Sequence, residues 1–324
     1  MQAAALVHHD AVLSRHDTGL IRPPRLKAGD HVRLVSPAST PTREAVEGTV
    51  RYLEGLGLRA TVGPHAFEEH GYLAGTDGQR LGDLNDALQD PDVNAIIATR
   101  GGKGAYRIAD RLDFAAAVRH PKLLIGYSEI TILHLALWSQ CRLPGLHGAP
   151  FEDSWAGAES ARSFLDAVFT TNSVTVRGRA DEPTSELTTT GRASGVLLGG
   201  NQDLVAIASG WSLPRLTGAI LLLEAYNLRL GHTDRQLTML HRAGRLEGIR
   251  AVAVGQYTDC DPSPDDQGDW TAIDVLRDRL SHLGVPILGG LPIGHGTNPI
   301  AVPVGTMAEL DADAGTLVVA PAVC

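Results

Sequence analysis

The feature that most constrains the fold is a regular alternation of short apolar segments with segments of helical spacing through the first half of the chain. Strand-like and helix-like segments follow one another in this order: 30–37, 43–56, 59–62, 77–88, 95–99, 105–112 and 123–125. Strands joined through helices pair in parallel, because a parallel connection needs a long crossover. The sequence therefore predicts a doubly wound parallel sheet in an α/β fold.

The second half has a different texture. Short apolar runs with turn residues between them occur at 193–198, 219–223, 251–254, 286–288, 307–310 and 316–319, and helical patterns at 201–209, 233–241 and 270–283. This pattern predicts a second α/β domain with a more β-rich core. We expect a flexible extension at 1–21, an N-terminal domain at 22–169, a polar linker at 170–190 and a C-terminal domain at 191–324.

Composition limits the class of function. The 324 residues are 43% hydrophobic and 20% charged, and 28 basic against 37 acidic residues give a net charge of −9. This acidity argues against nucleic acid or an anionic membrane as partner. The three cysteines are far apart, and the first 21 residues lack a signal-peptide pattern, so we expect a cytoplasmic protein. No metal-ligand spacing is visible, and no dinucleotide motif follows the first strand, which argues against a Rossmann dehydrogenase.

A single serine follows one of the apolar runs. The run ends at Gly126, Tyr127 and Ser128 follow, and a helical pattern begins at Ile130. A strand, a sharp turn and a helix form the nucleophile elbow of serine hydrolases, although Ile130 stands where the elbow has its second glycine. A serine between a strand and a helix also fits a helix N-cap, and both roles remain open.

A glycine-rich turn follows another strand. Gly101 and Gly102 come after the apolar run 95–99, so this turn and Ser128 both lie at carboxyl ends of strands, where open α/β sheets bind ligands. Their N–H groups could stabilise an oxyanion or merely form the turn. Arg100 could hold a substrate carboxylate or form a salt bridge. We expect Arg100 and Tyr127 to contact the substrate.

A base and an acid can be selected from the second half. His295 lies between Gly294 and Gly296, which suit a tight loop, and Glu224 ends the apolar run 219–223. A carboxylate beside a buried strand is costly unless it is paired, so Glu224 could orient His295. The alternatives are a surface-loop histidine and an exposed strand-end glutamate.

These segments together resemble the LD-carboxypeptidase family of serine peptidases, from about Arg25 to Val319. The family includes murein tetrapeptide carboxypeptidases and microcin C immunity peptidases. The resemblance rests on residues 98–105 (ATRGGKGA), 125–131 (IGYSEIT), 146–150 (LHGAP), 199–201 (GGN), 222–224 (LLE), 234–238 (DRQLT) and 294–296 (GHG).

The resemblance implies roles for these residues. Ser128 would be the nucleophile, His295 the general base and Glu224 its orienting partner. The oxyanion hole would be formed by backbone N–H groups of Gly101, Gly102 and Glu129. The family also implies a flavodoxin-like or Rossmann-like N-terminal domain, a β-rich C-terminal domain, a homodimer and no cofactor.

The chain departs from the family at three positions: Glu129 replaces a common Asp, Ala225 replaces an acidic residue, and His232-Thr233 replaces a common Tyr. We hypothesise that the protein is a serine carboxypeptidase that removes the terminal D-alanine from murein tetrapeptides. The alternatives are an immunity peptidase cleaving aminoacyl-nucleotide antibiotics and a non-catalytic peptide-binding protein. The substrate is thus a small peptide or a peptidyl-nucleotide.

Overall fold

The computed structural model describes residues 19–324 except 153–155, 261 and 263–267, so most of the predicted extension at 1–21 lies outside the described residues. The described chain divides into two units. The N-terminal unit comprises Gly19–Asn172, Ala301–Gly305 and Pro321–Cys324, and the C-terminal unit comprises Ser173–Ile300 and Thr306–Ala320.

A six-stranded sheet forms the centre of the N-terminal unit. Its strands are β1 (His31–Val35), β2 (Arg59–Val62), β3 (Val93–Ala98), β4 (Leu123–Gly126), β5 (Gly145–His147) and β11 (Val302–Val304). The spatial order is β11-β5-β4-β3-β1-β2, and every neighbouring pair is parallel except the antiparallel pair of β11 and β5. The order 2-1-3-4-5 is that of flavodoxin-like folds, which confirms the predicted parallel α/β sheet.

Helices connect these strands: α1 (Arg43–Gly55), α2 (Asp77–Gln89), α3 (Phe114–Arg119), α4 (Thr131–Cys141) and α5 (Ala158–Phe169). The start of α2 is set by a capping box between Thr76 and Gln79. The helix expected at 105–112 is replaced by two short 3₁₀ helices, Ala105–Arg107 and Ala109–Arg111. The backbone becomes extended at Leu112, which ends the second 3₁₀ helix. Asp113 then caps the start of α3, because its side chain accepts a hydrogen bond from the N–H of Ala116.

The C-terminal unit has a mixed seven-stranded sheet. Its strands are β6 (Val174–Arg177), β7 (Arg192–Asn201), β8 (Ile220–Tyr226), β9 (Ala251–Thr258), β10 (Ile287–Leu288), β12 (Met307–Asp311) and β13 (Thr316–Val319). The order is β10-β9-β8-β7-β12-β13-β6, parallel from β10 to β7 and antiparallel beyond. The helices α6 (Gln202–Ala208), α7 (Leu230–Arg242) and α8 (Ala272–Leu280) accompany it. This confirms the predicted β-rich α/β architecture.

Two segments differ from what the sequence pattern predicts. Residues 170–190, expected to be a linker, include the edge strand β6 and the 3₁₀ helix Pro183–Leu187. Strand β11 belongs to the sheet of the N-terminal unit, although it follows the C-terminal unit's loops in sequence. Pro303 in its middle is tolerated because β11 is an edge strand. No helix in the described part of the chain is long and apolar enough to span a bilayer.

Candidate functional site

The Ser128 turn lies at the carboxyl end of β4. Residues Ser128–Ile130 form a 3₁₀ helix that leads directly into α4, and Ile130 rather than Ser128 is the N-cap of α4. Ser128 has a φ of 61°, in the left-handed region that costs a non-glycine residue about 1–2 kcal/mol. Gly126 must lack a side chain, because a Cβ there would lie 2.8 Å from the side chain of Ile130. Ser128 thus occupies a strained strand-to-helix turn, as the nucleophile-elbow interpretation requires.

The loop after β3, residues 99–104, packs against this turn and is called the glycine loop below. A Cβ on Gly101 would lie 3.0 Å from the Cβ of Ser128 and 3.4 Å from the backbone nitrogen of Glu129. Gly102 has a φ of 106°, and a side chain there would collide with Ser39. Ser39 fixes the loop, because its N–H donates to the Gly101 carbonyl (3.3 Å) and its hydroxyl accepts the N–H of Lys103 (3.1 Å).

The Glu129 side chain ties this loop to the serine turn. It is 3% exposed, and its Oε1 accepts the N–H groups of Gly104 (2.7 Å) and Ala105 (2.9 Å). From the other side, buried Arg80 donates through Nη1 to the carbonyls of Gly104 (2.8 Å) and Pro37 (2.6 Å). The backbone of the loop is therefore held on both sides by charged groups, whose hydrogen bonds are the stronger kind.

The two predicted substrate-contacting residues lie near these turns in sequence but differ in environment. Arg100 is exposed, and its Nη1 donates to the carbonyl of Thr40 at 3.1 Å. Tyr127 is half-buried and makes edge-to-face contacts with His147 and Phe151, at centroid distances of 6.2 and 6.4 Å. Tyr127 is thus largely engaged in packing, whereas Arg100 keeps its guanidinium at the surface.

Glu224 and His295 are brought together in the C-terminal unit. Oε2 of Glu224 lies 2.7 Å from Nδ1 of His295, the carboxylate is fully buried, and the imidazole is 13% exposed. When the carboxylate is ionised it can only accept a hydrogen bond, and Nδ1 is then the donor. In the neutral imidazole the lone pair is then on Nε2, the tautomer that a general base needs.

The surroundings of this pair fix its geometry. Glu224 lies where the β8–β9 register shifts, between Leu223 and Ala225. Gly294 has a φ of 138°, and a Cβ there would lie 3.0 Å from Oε2 of Glu224. The positive φ and the close contact with Glu224 show why the residue before His295 is a glycine.

Gln256, at the carboxyl end of β9, holds the loop that carries His295 (residues 294–297) from the other side. Its Oε1 accepts the N–H of Gly296 (2.8 Å), and its Nε2 donates to the Thr297 carbonyl (3.1 Å) and to Glu182 (2.7 Å). Gln256 was not among the site residues predicted from the sequence. Its position after an apolar strand, equivalent to that of Glu224 on the adjacent parallel strand, was the available signal.

A cavity of about 580 Å³ opens within the C-terminal unit beside this loop, and Gln256, Gly296 and Thr297 contribute to its wall. Its charged lining residues are all carboxylates: Glu182, Glu186 and Asp274. In the described part of the chain, no three His, Cys, Asp or Glu side chains are grouped to hold a metal ion.

Two family models cover most of the chain: the LD-carboxypeptidase N-terminal domain matches residues 32–148, and the LD-carboxypeptidase C-terminal domain matches residues 194–310. The chain belongs to the LD-carboxypeptidase family. The family resemblance derived from the sequence motifs is therefore confirmed, and the chain is a serine peptidase of the LD-carboxypeptidase type.

Relatives and solved structures agree with this assignment. The murein tetrapeptide carboxypeptidase of Pseudomonas aeruginosa is 31% identical over 297 residues, which cover 86% of this chain and 92% of that protein. The muramoyltetrapeptide carboxypeptidase of Oxalobacter formigenes superimposes with a TM-score of 0.78 at 24% identity, covering 91% of this chain and all (100%) of that one. The microcin C7 self immunity protein MccF, bound to aspartyl sulfamoyl adenosine, gives 0.81 at 20% identity, covering 94% and 100%. The two structural likenesses establish a shared fold.

Proposed function

We propose that this LD-carboxypeptidase hydrolyses the amide bond before the terminal D-alanine of murein tetrapeptides. Ser128 is the nucleophile, His295 the general base and Glu224 its orienting partner. The observation that carries the proposal is the fully buried Glu224 carboxylate, 2.7 Å from Nδ1 of His295. Burial of a carboxylate is costly, and orienting and stabilising a catalytic imidazole accounts for it. The murein tetrapeptide carboxypeptidase of Pseudomonas aeruginosa, 31% identical to this chain, supports this choice of substrate.

The reaction follows serine-peptidase chemistry. Nε2 of His295 accepts the proton of Ser128 as its Oγ bonds to the scissile carbonyl carbon. The tetrahedral intermediate collapses when His295 returns that proton to the leaving amine, and free D-alanine departs. Water, deprotonated by His295, then hydrolyses the ester on Ser128, which regenerates the hydroxyl. Glu224 stabilises the imidazolium that forms in both steps.

Backbone N–H groups stabilise the oxyanion in this proposal. Gly101, Gly102 and Glu129 are assigned this role, because the glycine loop packs directly against the Ser128 turn. The residue after a nucleophile elbow commonly supplies one such donor. Here the bonds from Gly104 and Ala105 to the Glu129 carboxylate keep the loop and the turn in a fixed register. Preorganised donors of this kind are worth about 10²–10³ in kcat each.

The substrate is tested by mass spectrometry of the purified protein with three compounds in parallel. These are a murein tetrapeptide, the same peptide ending in L-alanine, and an aminoacyl-sulfamoyl adenosine. We expect release of D-alanine from the first compound and no release of L-alanine from the second. Cleavage of the nucleotide conjugate alone would reject the murein substrate and support the microcin-immunity alternative. No cleavage of any compound would contradict the proposal as well.

A further inference from the structure

Tyr226 lies against the catalytic pair without belonging to it. It is the last residue of β8, two positions beyond Glu224, so both side chains leave the strand on the same face. Its ring stacks on the imidazole of His295, with centroids 5.1 Å apart and planes inclined by 19°. Tyr226 is nevertheless 52% exposed, so much of the residue faces solvent while its ring lies against His295.

The stack supplies a constraint that the hydrogen bond lacks. The contact between Nδ1 of His295 and Glu224 fixes one edge of the imidazole, but the ring could still rock about that contact. A second ring lying nearly parallel against the imidazole face opposes this motion, because rocking would separate the stacked surfaces. The backbone of Tyr226 is itself fixed by its pairing with Thr258 of β9.

We propose that Tyr226 is a positioning residue, which holds the plane of the His295 imidazole so that Nε2 keeps its direction during proton transfer. The inference rests on the proposed function, in which His295 is the general base. It requires the aromatic face of Tyr226 and not the phenolic hydroxyl. Phenylalanine can therefore replace it, and an aliphatic side chain of similar bulk cannot.

Steady-state kinetics of D-alanine release test this inference with three variants. Tyr226→Leu is expected to lower kcat about 2- to 12-fold, the effect of losing one aromatic pair, with KM unchanged. Tyr226→Phe is expected to retain the wild-type kcat. Trp211→Leu is the matched control, because Trp211 is another exposed aromatic residue (47%) of the same unit, and should match the wild type.

The imidazole proton resonances of His295, identified by their loss in His295→Gln, give a readout independent of turnover. The quantity compared is the exchange of the Nδ1 proton with water, because loss of the Tyr226 ring current changes the chemical shifts by itself. In Tyr226→Leu this exchange should become faster, since a rocking imidazole weakens its hydrogen bond to Glu224, while Tyr226→Phe should match the wild type. An unchanged kcat or an unchanged exchange rate in Tyr226→Leu would overturn the inference, as would loss of activity in Tyr226→Phe. If the wild type releases no D-alanine, the proposed substrate fails, and the exchange rate alone then decides whether Tyr226 holds the ring.

Discussion

Neutralising Glu129 should loosen the glycine loop while leaving the shape of the side chain unchanged. In Glu129→Gln the remaining carbonyl oxygen can still accept the N–H groups of Gly104 and Ala105, now 2.7 and 2.9 Å from Oε1. Hydrogen bonds to a charged acceptor contribute about 1.5–3 kcal/mol each, against about 0.5–1.5 kcal/mol for neutral ones. The two bonds therefore lose about 2–3 kcal/mol in total, and the lower cost of burying a neutral amide offsets part of this loss.

The net destabilisation of Glu129→Gln is expected to be about 2 kcal/mol in the free energy of unfolding, measured by urea denaturation. Because the loop supplies the proposed oxyanion donors, kcat for D-alanine release should also fall about 10-fold or more, a fraction of the loss from removing a donor outright. KM should change little, since the oxyanion forms only in the transition state.

Glu69→Gln is the matched control, because Glu69 is an exposed carboxylate in the same unit and its neutralisation should alter neither quantity. If Glu129→Gln unfolds at the same urea concentration as Glu69→Gln and has the same kcat, the Glu129 carboxylate does not hold the glycine loop. A loss of stability at unchanged kcat would refute only the link between the loop and catalysis.

Three further predictions concern steric fit and pH. Gly101→Ala places a methyl group 3.0 Å from the Cβ of Ser128, so the rate of serine labelling by a fluorophosphonate should fall and urea denaturation should show a loss of about 1–3 kcal/mol. Gly294→Ala puts a side chain at a φ of 138°, so urea denaturation should show a loss of about 1–3 kcal/mol. Burial lowers the pKa of His134 to about 4, so its neutral form is favoured in the folded protein. The free energy of unfolding should therefore fall by about 3 kcal/mol as the pH drops from 6.5 toward 4, because the unfolded chain binds a proton that the folded protein excludes. In urea titrations at several pH values, His134→Gln should lack this part of the pH dependence.

The parallel sheet was predictable because its strands are short, apolar and separated by helical segments, a pattern that leaves few alternative topologies. The Ser128 turn was predictable for a related reason. Gly126 ends an apolar strand, a helical pattern resumes at Ile130, and only a tight turn fits between them. The glycines beside His295 likewise indicated a close approach, which Gly294 makes to Glu224.

The remaining features depend on contacts between residues distant in sequence. Strand β11 was missed because three residues with a central proline carry no periodicity. They form a strand only because they pair with β5 at the edge of the sheet. The Glu129 side chain could not be assigned, since its partners Gly104 and Ala105 offer only backbone N–H groups. The stacking of Tyr226 on His295 spans 69 residues of sequence (295 − 226) and has no local signal.

In the proposed function Ser128 performs the hydrolysis, and the Ser128→Ala variant shows whether it does. The variant and the matched control Ser281→Ala, at an exposed serine, are compared for the rate of D-alanine release from a murein tetrapeptide. We expect Ser128→Ala to lower kcat by about 10⁴-fold or more, as removal of a serine-protease nucleophile does, and Ser281→Ala to match the wild type. Full D-alanine release by a folded Ser128→Ala variant would show that Ser128 is not the nucleophile.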